Sequence, residues 1–192
     1  MSQPEIETPR LRLRPFQPSD AERIRLLAGD RAVAEGCILI PHPYPPGLAE
    51  RWIASHPAGW QANTAAMFAI TDKPSGLLIG SISLLLREER QADRRIKRVG
   101  TLGYWLGRAY WGTGLMSEAV ASLLDFAFYE LGVDRIEAEH APTNPASGRV
   151  MVKNGLHFIE ERLCDEFDDQ PHQLRCYALE WAEYVARQRN PA

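Results

Sequence analysis

Apolar positions along the chain fall into two periods, and their order restricts the fold. At residues 10–16, Leu11 and Leu13 alternate with arginines ahead of Pro15-Phe16, the period-two mark of a half-buried strand. After the break at Pro18-Ser19-Asp20, Ile24, Leu27 and Ala28 repeat at helical spacing as far as Gly29. A second short helix is predicted over 45–56, and the three prolines of segment 36–45 before it make that segment an extended, irregular connection. Segments 66–72 and 76–86 read as consecutive strands about a Lys73-Pro74-Ser75-Gly76 turn, and 98–107 reads as another. Then follow helix 114–131, strand 134–140, helix 145–153, strand 156–164, an acidic turn and strand 172–180. Strands in succession followed by alternating strands and helices predict an α/β fold: a mixed central sheet of six or seven strands with helices on both faces.

Composition adds limits. With 192 residues, 45% of them hydrophobic and 24% charged, the chain suits one well-buried core, so a single domain over 1–192 is expected. The N-terminal stretch has no apolar core of signal-peptide length, and no run approaches the ~18 apolar residues of a membrane span. A cytoplasmic protein without membrane partners is expected. A net charge of −3 and a pI near 6.0 give no general attraction for nucleic acid. The basic run at 94–98 reads as a solvated hairpin tip. Cys37, Cys164 and Cys176 are far apart, with neither metal-binding nor disulfide-framework spacing, so no metal is expected.

The chemistry concentrates at Gly112-Thr113-Gly114, between the strand ending near Leu106 and a helix carrying Met116, Ala119, Val120, Leu123, Ala127 and Leu131 on one side. Two glycines at a helix N-terminus let an anion approach unpaired N–H groups at the positive end of the helix dipole. They also serve to shape a tight turn, and an isolated G-x-G does not separate the two uses. Leu115 follows Gly114 and no lysine stands in the first helical turns, so this is not a nucleotide-hydrolysing P-loop; Ser117 in place of a third glycine, and the strands that precede the loop, make a dinucleotide fingerprint a poor match. A pyrophosphate at the helix N-terminus remains.

"GYWLGRAYWGTGLMSEAV" (103–120) resembles the strand-loop-helix signature of the GNAT N-acetyltransferase superfamily. "RIEAEHAPTNPASGRVMVKNGLHF" (135–158), "ETPRLRLRPFQPSDAE" and "PHPYPPGLAERWI" are similar to the ribosomal-protein N-terminal acetyltransferase branch, so the likeness spans residues 7 to about 182. It implies the GNAT fold and acetyl transfer from acetyl-CoA to a primary amine by direct attack in a ternary complex. The acceptor implied by the branch is a protein N-terminus; small-molecule amines are the alternative, and a silent CoA-binding sensor module is a third reading. A monomer or homodimer is compatible with all three.

On this resemblance, Trp111, Gly112, Thr113, Gly114, Leu115 and Met116 hold the pyrophosphate, and the backbone of Tyr104, Trp105 and Leu106 pairs with pantetheine as a neighbouring strand would. The side chains of Tyr104, Trp105, Tyr110 and Trp111 otherwise read as aromatic core. Asn144 before Pro145 reads as a helix cap and, by resemblance, also bonds the coenzyme. Ser147 is placed near the thioester sulfur, as donor to the thiolate or as an unremarkable first-turn serine. Met151 stands where several superfamily members carry a tyrosine, and Ala109 where the loop often begins with Arg or Gln. Lys153 and Gly155 have structural readings at the end of that helix. For the group that accepts the amine's proton, the candidates are Glu137, Glu139, His140, Asp165 and Glu166. His140 shares a face with Ile136 and Ala138 and reads either as a base or as a core histidine. Glu166 is the nearest match to the branch's carboxylate, with Asp165 and Asp168 as alternatives. Together with Asp169 these acids also suit a hairpin kept solvated, or one that draws in a cationic amine.

Overall fold

The computed structural model describes residues 2–164 and 172–189. In chain order these form β1 (Ile6–Glu7), β2 (Leu11–Arg14), α1 (Ala21–Ala28), α2 (Arg31–Glu35), α3 (Leu48–Gln61), β3 (Ala65–Asp72), β4 (Leu78–Arg90) and β5 (Ile96–Leu106). There follow α4 (Leu115–Asp125), a π-helical turn at Phe126–Glu130, β6 (Arg135–His140), α5 (Pro145–Lys153), β7 (His157–Cys164), β8 (His172–Glu180) and α6 (Trp181–Arg189). Among the described residues, no helix is long and apolar enough to cross a membrane.

The strands make one eight-stranded mixed sheet in the order β1-β2-β3-β4-β5-β6-β8-β7. The count exceeds the expected six or seven because β1 has two residues, too few to show alternation. Every neighbouring pair is antiparallel except β5 and β6. The long hairpin also outruns its predicted ends. Arg87–Arg90 continue the ladder against Ile96–Val99, because charged residues fit a solvated strand face as well as apolar ones fit the core. The 94–98 run starts beside the hairpin turn, where Arg94 has φ 67°, but Arg98 is anchored, donating to the Leu131 carbonyl at 2.6 Å and to Asn63 Oδ1 at 2.6 Å.

Two apolar layers sandwich the sheet. Leu102 and Leu106 of β5 and Ile82 and Leu84 of β4 pack with Met116, Val120, Leu123 and Leu124 of α4, Met151 of α5 and Tyr184 of α6. On the opposite face Ile24, Ala28, Ala49 and Ile53 of α1 and α3 pack with Ala69 and Leu78, and Trp105 joins them. Helices on both faces follow directly. The predicted helix 114–131 divides in two: Gly114 is its cap, and the last turn widens at Phe126–Glu130, where Phe128 and Tyr129 meet Trp181 and Tyr184 of α6. Helix α3 starts at Leu48, after Gly47 in the left-handed region, and runs on through Pro57.

His56 lies in α3 between Phe16 and Trp52, with centroid distances of 5.0 and 4.4 Å, and neither ring nitrogen has a hydrogen-bond partner. Burial lowers its pKa to about 4. A histidine depressed in the folded state stabilises the fold fully above its unfolded value of roughly 6.5 and loses that contribution as pH falls toward 4. The thermal midpoint of the parent is therefore expected to fall between pH 7 and pH 5 more steeply than that of His56→Phe, as read by circular dichroism melts; parallel curves would refute this.

Candidate active site

Two strands that part company create the site. β5 pairs with β4 as far as Gly80↔Leu106, but with β6 only from Val99↔Arg135 to Leu102↔Ala138. β6 continues to His140 along β8. Beyond Leu102 the β6-facing edge of β5 is left unpaired. Alternation decides which residues present polar groups there: Arg98 and Asp134 exchange bonds across the β6 side, while the Gly107 N–H reaches the Ile79 carbonyl on the β4 side. Even-numbered residues of β5 therefore turn their backbone toward the opening. Tyr104 and Leu106 face it, whereas Trp105, opposite Ser81, turns its backbone to β4 and its side chain to the α1–α3 layer. The Leu106 carbonyl is taken by the Trp111 indole N–H at 2.6 Å. Trp111 is 48% exposed, so it is not the core aromatic that the sequence suggested.

The edge leads into Gly112-Thr113-Gly114. Both glycines lie in the left-handed region, φ 74° and 78°, and that backbone requirement explains them as turn residues. A Cβ on Gly112 would meet nothing within 4 Å, so the turn is also open. The first α4 hydrogen bond runs from Glu118 N–H to the Gly114 carbonyl, which leaves the amides of Leu115, Met116 and Ser117 without helical acceptors beside it. A strap absent from the sequence reading holds this end. The Glu118 carboxylate accepts from Thr8 Oγ1 at 2.6 Å, Arg10 N–H at 2.8 Å and Arg10 Nε at 2.6 Å, and Arg10 Nη1 donates to the Thr113 carbonyl at 3.0 Å. Burial works against the Glu118 charge, yet these donors hold its pKa below the ordinary carboxylate value. The acid in the first turn of α4 was the available signal; its partners more than 100 positions away were not.

At the head of the opening stands α5. Asn144 caps it, its Oδ1 accepting from Ser147 N–H at 3.3 Å with Pro145 in the first turn, while Nδ2 donates to the Gly36 carbonyl at 3.0 Å. The coenzyme bond implied by resemblance would share these atoms. Ser147 is half-buried, and the Tyr104 hydroxyl lies 3.0 Å from both its Oγ and its carbonyl. Burial pushes the phenol well above its ordinary pKa. Met151, one turn on, is buried in the core. His140 points under α5, as its alternation predicted. Its Nδ1 donates to the Ala141 carbonyl at 2.8 Å, and its unpartnered Nε2 would lie 2.5 Å from a Cβ on Gly148. That packing favours the core reading of His140. Gly155 follows the helix with φ 94°, and Lys153 lies in its last turn.

The opposite sheet face continues the same cleft, whose volume is about 1620 Å³. One wall is the loop after α2, from Gly36 to Pro41 with Tyr44, backed by Trp52, Met67 and Leu85. Cys37 lies in this wall, although it is remote from the glycine motif in sequence; burial raises its thiol to about 11. Glu137 and Glu139 line the far side. Burial raises the Glu137 pKa, but Arg87 at 2.6 Å and Arg135 at 2.8 Å outweigh that and hold it low. Glu139 pairs with Arg162 at 2.7 Å. Asp165, Glu166, Asp168 and Asp169 lie outside the described residues.

The open strand edge thus runs into a glycine turn at a helix N-terminus, on one continuous cleft. Residues 10–157 match the acetyltransferase (GNAT) domain, and the chain belongs to the GNAT acetyltransferase family. It is 40% identical over 90 residues to the probable N-acetyltransferase YjcK of Bacillus subtilis (strain 168), a match covering 47% of this chain and 47% of that protein; the chain thus spans about half that relative's length. The ribosomal-protein-S5-alanine acetyltransferase of Vibrio fischeri is similar in structure, with TM-score 0.76 and 21% identity over 95% of this chain and 99% of that one. So is RimL, a ribosomal L7/L12 alpha-N-protein acetyltransferase solved with coenzyme A: TM-score 0.74 and 17% identity, covering 92% and 98%. At these identities the structural likeness concerns the fold.

The strap carries its own expectation. Glu118→Ala removes the acceptor shared by Thr8 and Arg10 and is expected to raise amide hydrogen exchange at Thr113–Met116 and lower stability by ~1–2 kcal/mol. Unchanged exchange at the loop would refute the strap's role.

Proposed function

We propose that the chain is an acetyl-CoA-dependent N-acetyltransferase acting on a primary amine by direct attack in a ternary complex. The observation that carries this reading is the unpaired edge at Tyr104 and Leu106 running into the open Gly112–Gly114 turn, with Ser147 at its head. Pantetheine is a strand-like diamide and pairs with such an edge; its pyrophosphate suits the free amides of Leu115, Met116 and Ser117. Trp111 and Thr113 flank that loop, and Asn144 borders the thioester end.

The amine must be neutral to attack. Its nitrogen forms the new bond to the acetyl carbon, the C–S bond breaks, and the electron pair leaves on sulfur, which takes a proton from Ser147 Oγ. Ser147 Oγ regains a proton from water, and the amine's proton passes to water. His140 Nε2 is closed under Gly148, so the carboxylates are the groups to orient that water: Glu137, held ionised between two arginines, Glu139, paired with Arg162, and the acids around Glu166. No acyl-enzyme is invoked: both thiols that line the cleft, Cys37 and Cys176, are pushed up by burial, Cys37 to about 11, and so are poor nucleophiles at neutral pH. The ribosomal-protein-type N-terminus is the acceptor favoured by the sequence resemblance, with the protein acting as one domain.

Thiol release from acetyl-CoA in the presence of N-terminal peptides and small amines tests the reading. Turnover with at least one amine is expected, and none across the panel despite CoA binding would favour a sensor module instead. Ser147→Ala is expected to lose roughly 10²–10⁴ in turnover while holding acetyl-CoA nearly normally, and Gly114→Val to weaken coenzyme A binding by a few kcal/mol in calorimetry through overpacking and left-handed strain. Unchanged values in folded variants would remove each residue from its role.

A further inference from the structure

We propose that Tyr104 is a positioning residue for proton delivery: its hydroxyl holds and aims the Ser147 hydroxyl at the departing sulfur. The inference rests on the reading of Ser147 as proton donor and adds the group behind it. Tyr104 occupies a special place on β5. Its backbone faces the unpaired edge, while its side chain, on the same face as Leu102 and Leu106, reaches α5 across 43 positions of sequence. There the hydroxyl is 3.0 Å from the Ser147 carbonyl and 3.0 Å from Ser147 Oγ.

The two contacts differ chemically. A carbonyl only accepts, so one arrangement has the phenol donating to the carbonyl while Ser147 donates to the phenol oxygen, which turns the serine's proton away from the cleft. In the other, the phenol donates to Ser147 Oγ, and the serine's own hydrogen is free to point to the cleft. A hydroxyl that accepts a hydrogen bond is also a better donor. Rotation of the two O–H groups, phenol and serine, connects the two states without moving a heavy atom.

As the amine nitrogen bonds to the acetyl carbon and the C–S bond breaks, sulfur receives the electron pair and takes the Ser147 hydrogen. The phenol turns its hydrogen onto Ser147 Oγ, and that oxygen regains a proton from water while the amine gives one up to water, so the balance closes. Tyr104 supplies a hydrogen bond and keeps its proton, in keeping with a phenol whose burial disfavours ionisation. Met151, one turn along α5, has no hydrogen to offer.

Tyr104→Phe keeps the ring and removes the hydroxyl. The single-turnover rate of acetyl transfer is expected to fall about three- to tenfold, the worth of one hydrogen bond, with coenzyme A affinity unchanged by calorimetry. In a Ser147→Ala background the same change is expected to cost nothing further. An equal loss in that background, a loss matched by weaker coenzyme A binding, or an unchanged rate in Tyr104→Phe overturns the proposal; Tyr104→Met serves if thermal melts show the Phe variant unfolded. If Ser147→Ala alone leaves the rate unchanged, the reading of Ser147 falls and Tyr104's role with it; if Ser147→Ala is slow and Tyr104→Phe is not, Tyr104 alone is refuted.

Discussion

Everything in the site depends on a pairing that stops. Parallel strands β5 and β6 are joined for four residues and then follow different partners, β5 staying with β4 and β6 with β8. A buried strand edge with unsatisfied amides is costly in a folded protein. Here the opening lies along a cleft, open to water or to a ligand that can complete the ladder. The divergence also decides direction: a guest entering along Tyr104 and Leu106 runs from the glycine turn at one end to α5 at the other.

The rigid parts around the opening are fastened by backbone-directed contacts. Glu118 ties the first helical turn to the Thr8–Arg10 corner, and Arg10 holds the Thr113 carbonyl, so the glycine turn is anchored where it enters the helix. At the other end Gly148 lets α5 lie directly on His140, which fixes the height of Ser147 above the sheet. Where a histidine is packed against a helix backbone in this way, its value is geometric.

Local features were legible in the sequence. The strand-turn-helix at Gly112–Gly114, the Asn144-Pro145 start of α5 and the inward set Ile136, Ala138 and His140 are each written in neighbouring residues, because turns, caps and alternation are short-range rules. What stayed hidden joins distant positions. The Thr8–Glu118 and Tyr104–Ser147 contacts span 110 and 43 residues and use residue types common everywhere. Trp111 misled for a related reason: an aromatic beside a buried strand suggests core, but its indole leaves the core to satisfy the Leu106 carbonyl, one of those the divergent strands expose. Helix α6 was missed because it has a single buried residue, Tyr184, and so barely registers as amphipathic.

Asn144 has a consequence beyond capping. Its amide joins the first turn of α5 to the Gly36 carbonyl, so the wall formed by residues 36–41 hangs from the main chain at its root. The side chains of Cys37, Ile38, Leu39 and Ile40 take no part in that attachment. Ile40 also packs against the α1–α3 layer, so fastening and lining overlap there; at Cys37, Ile38 and Leu39 a side chain can change without touching the bond that holds the wall to the machinery for moving an acyl group. A fold built this way can change clients without rebuilding its engine.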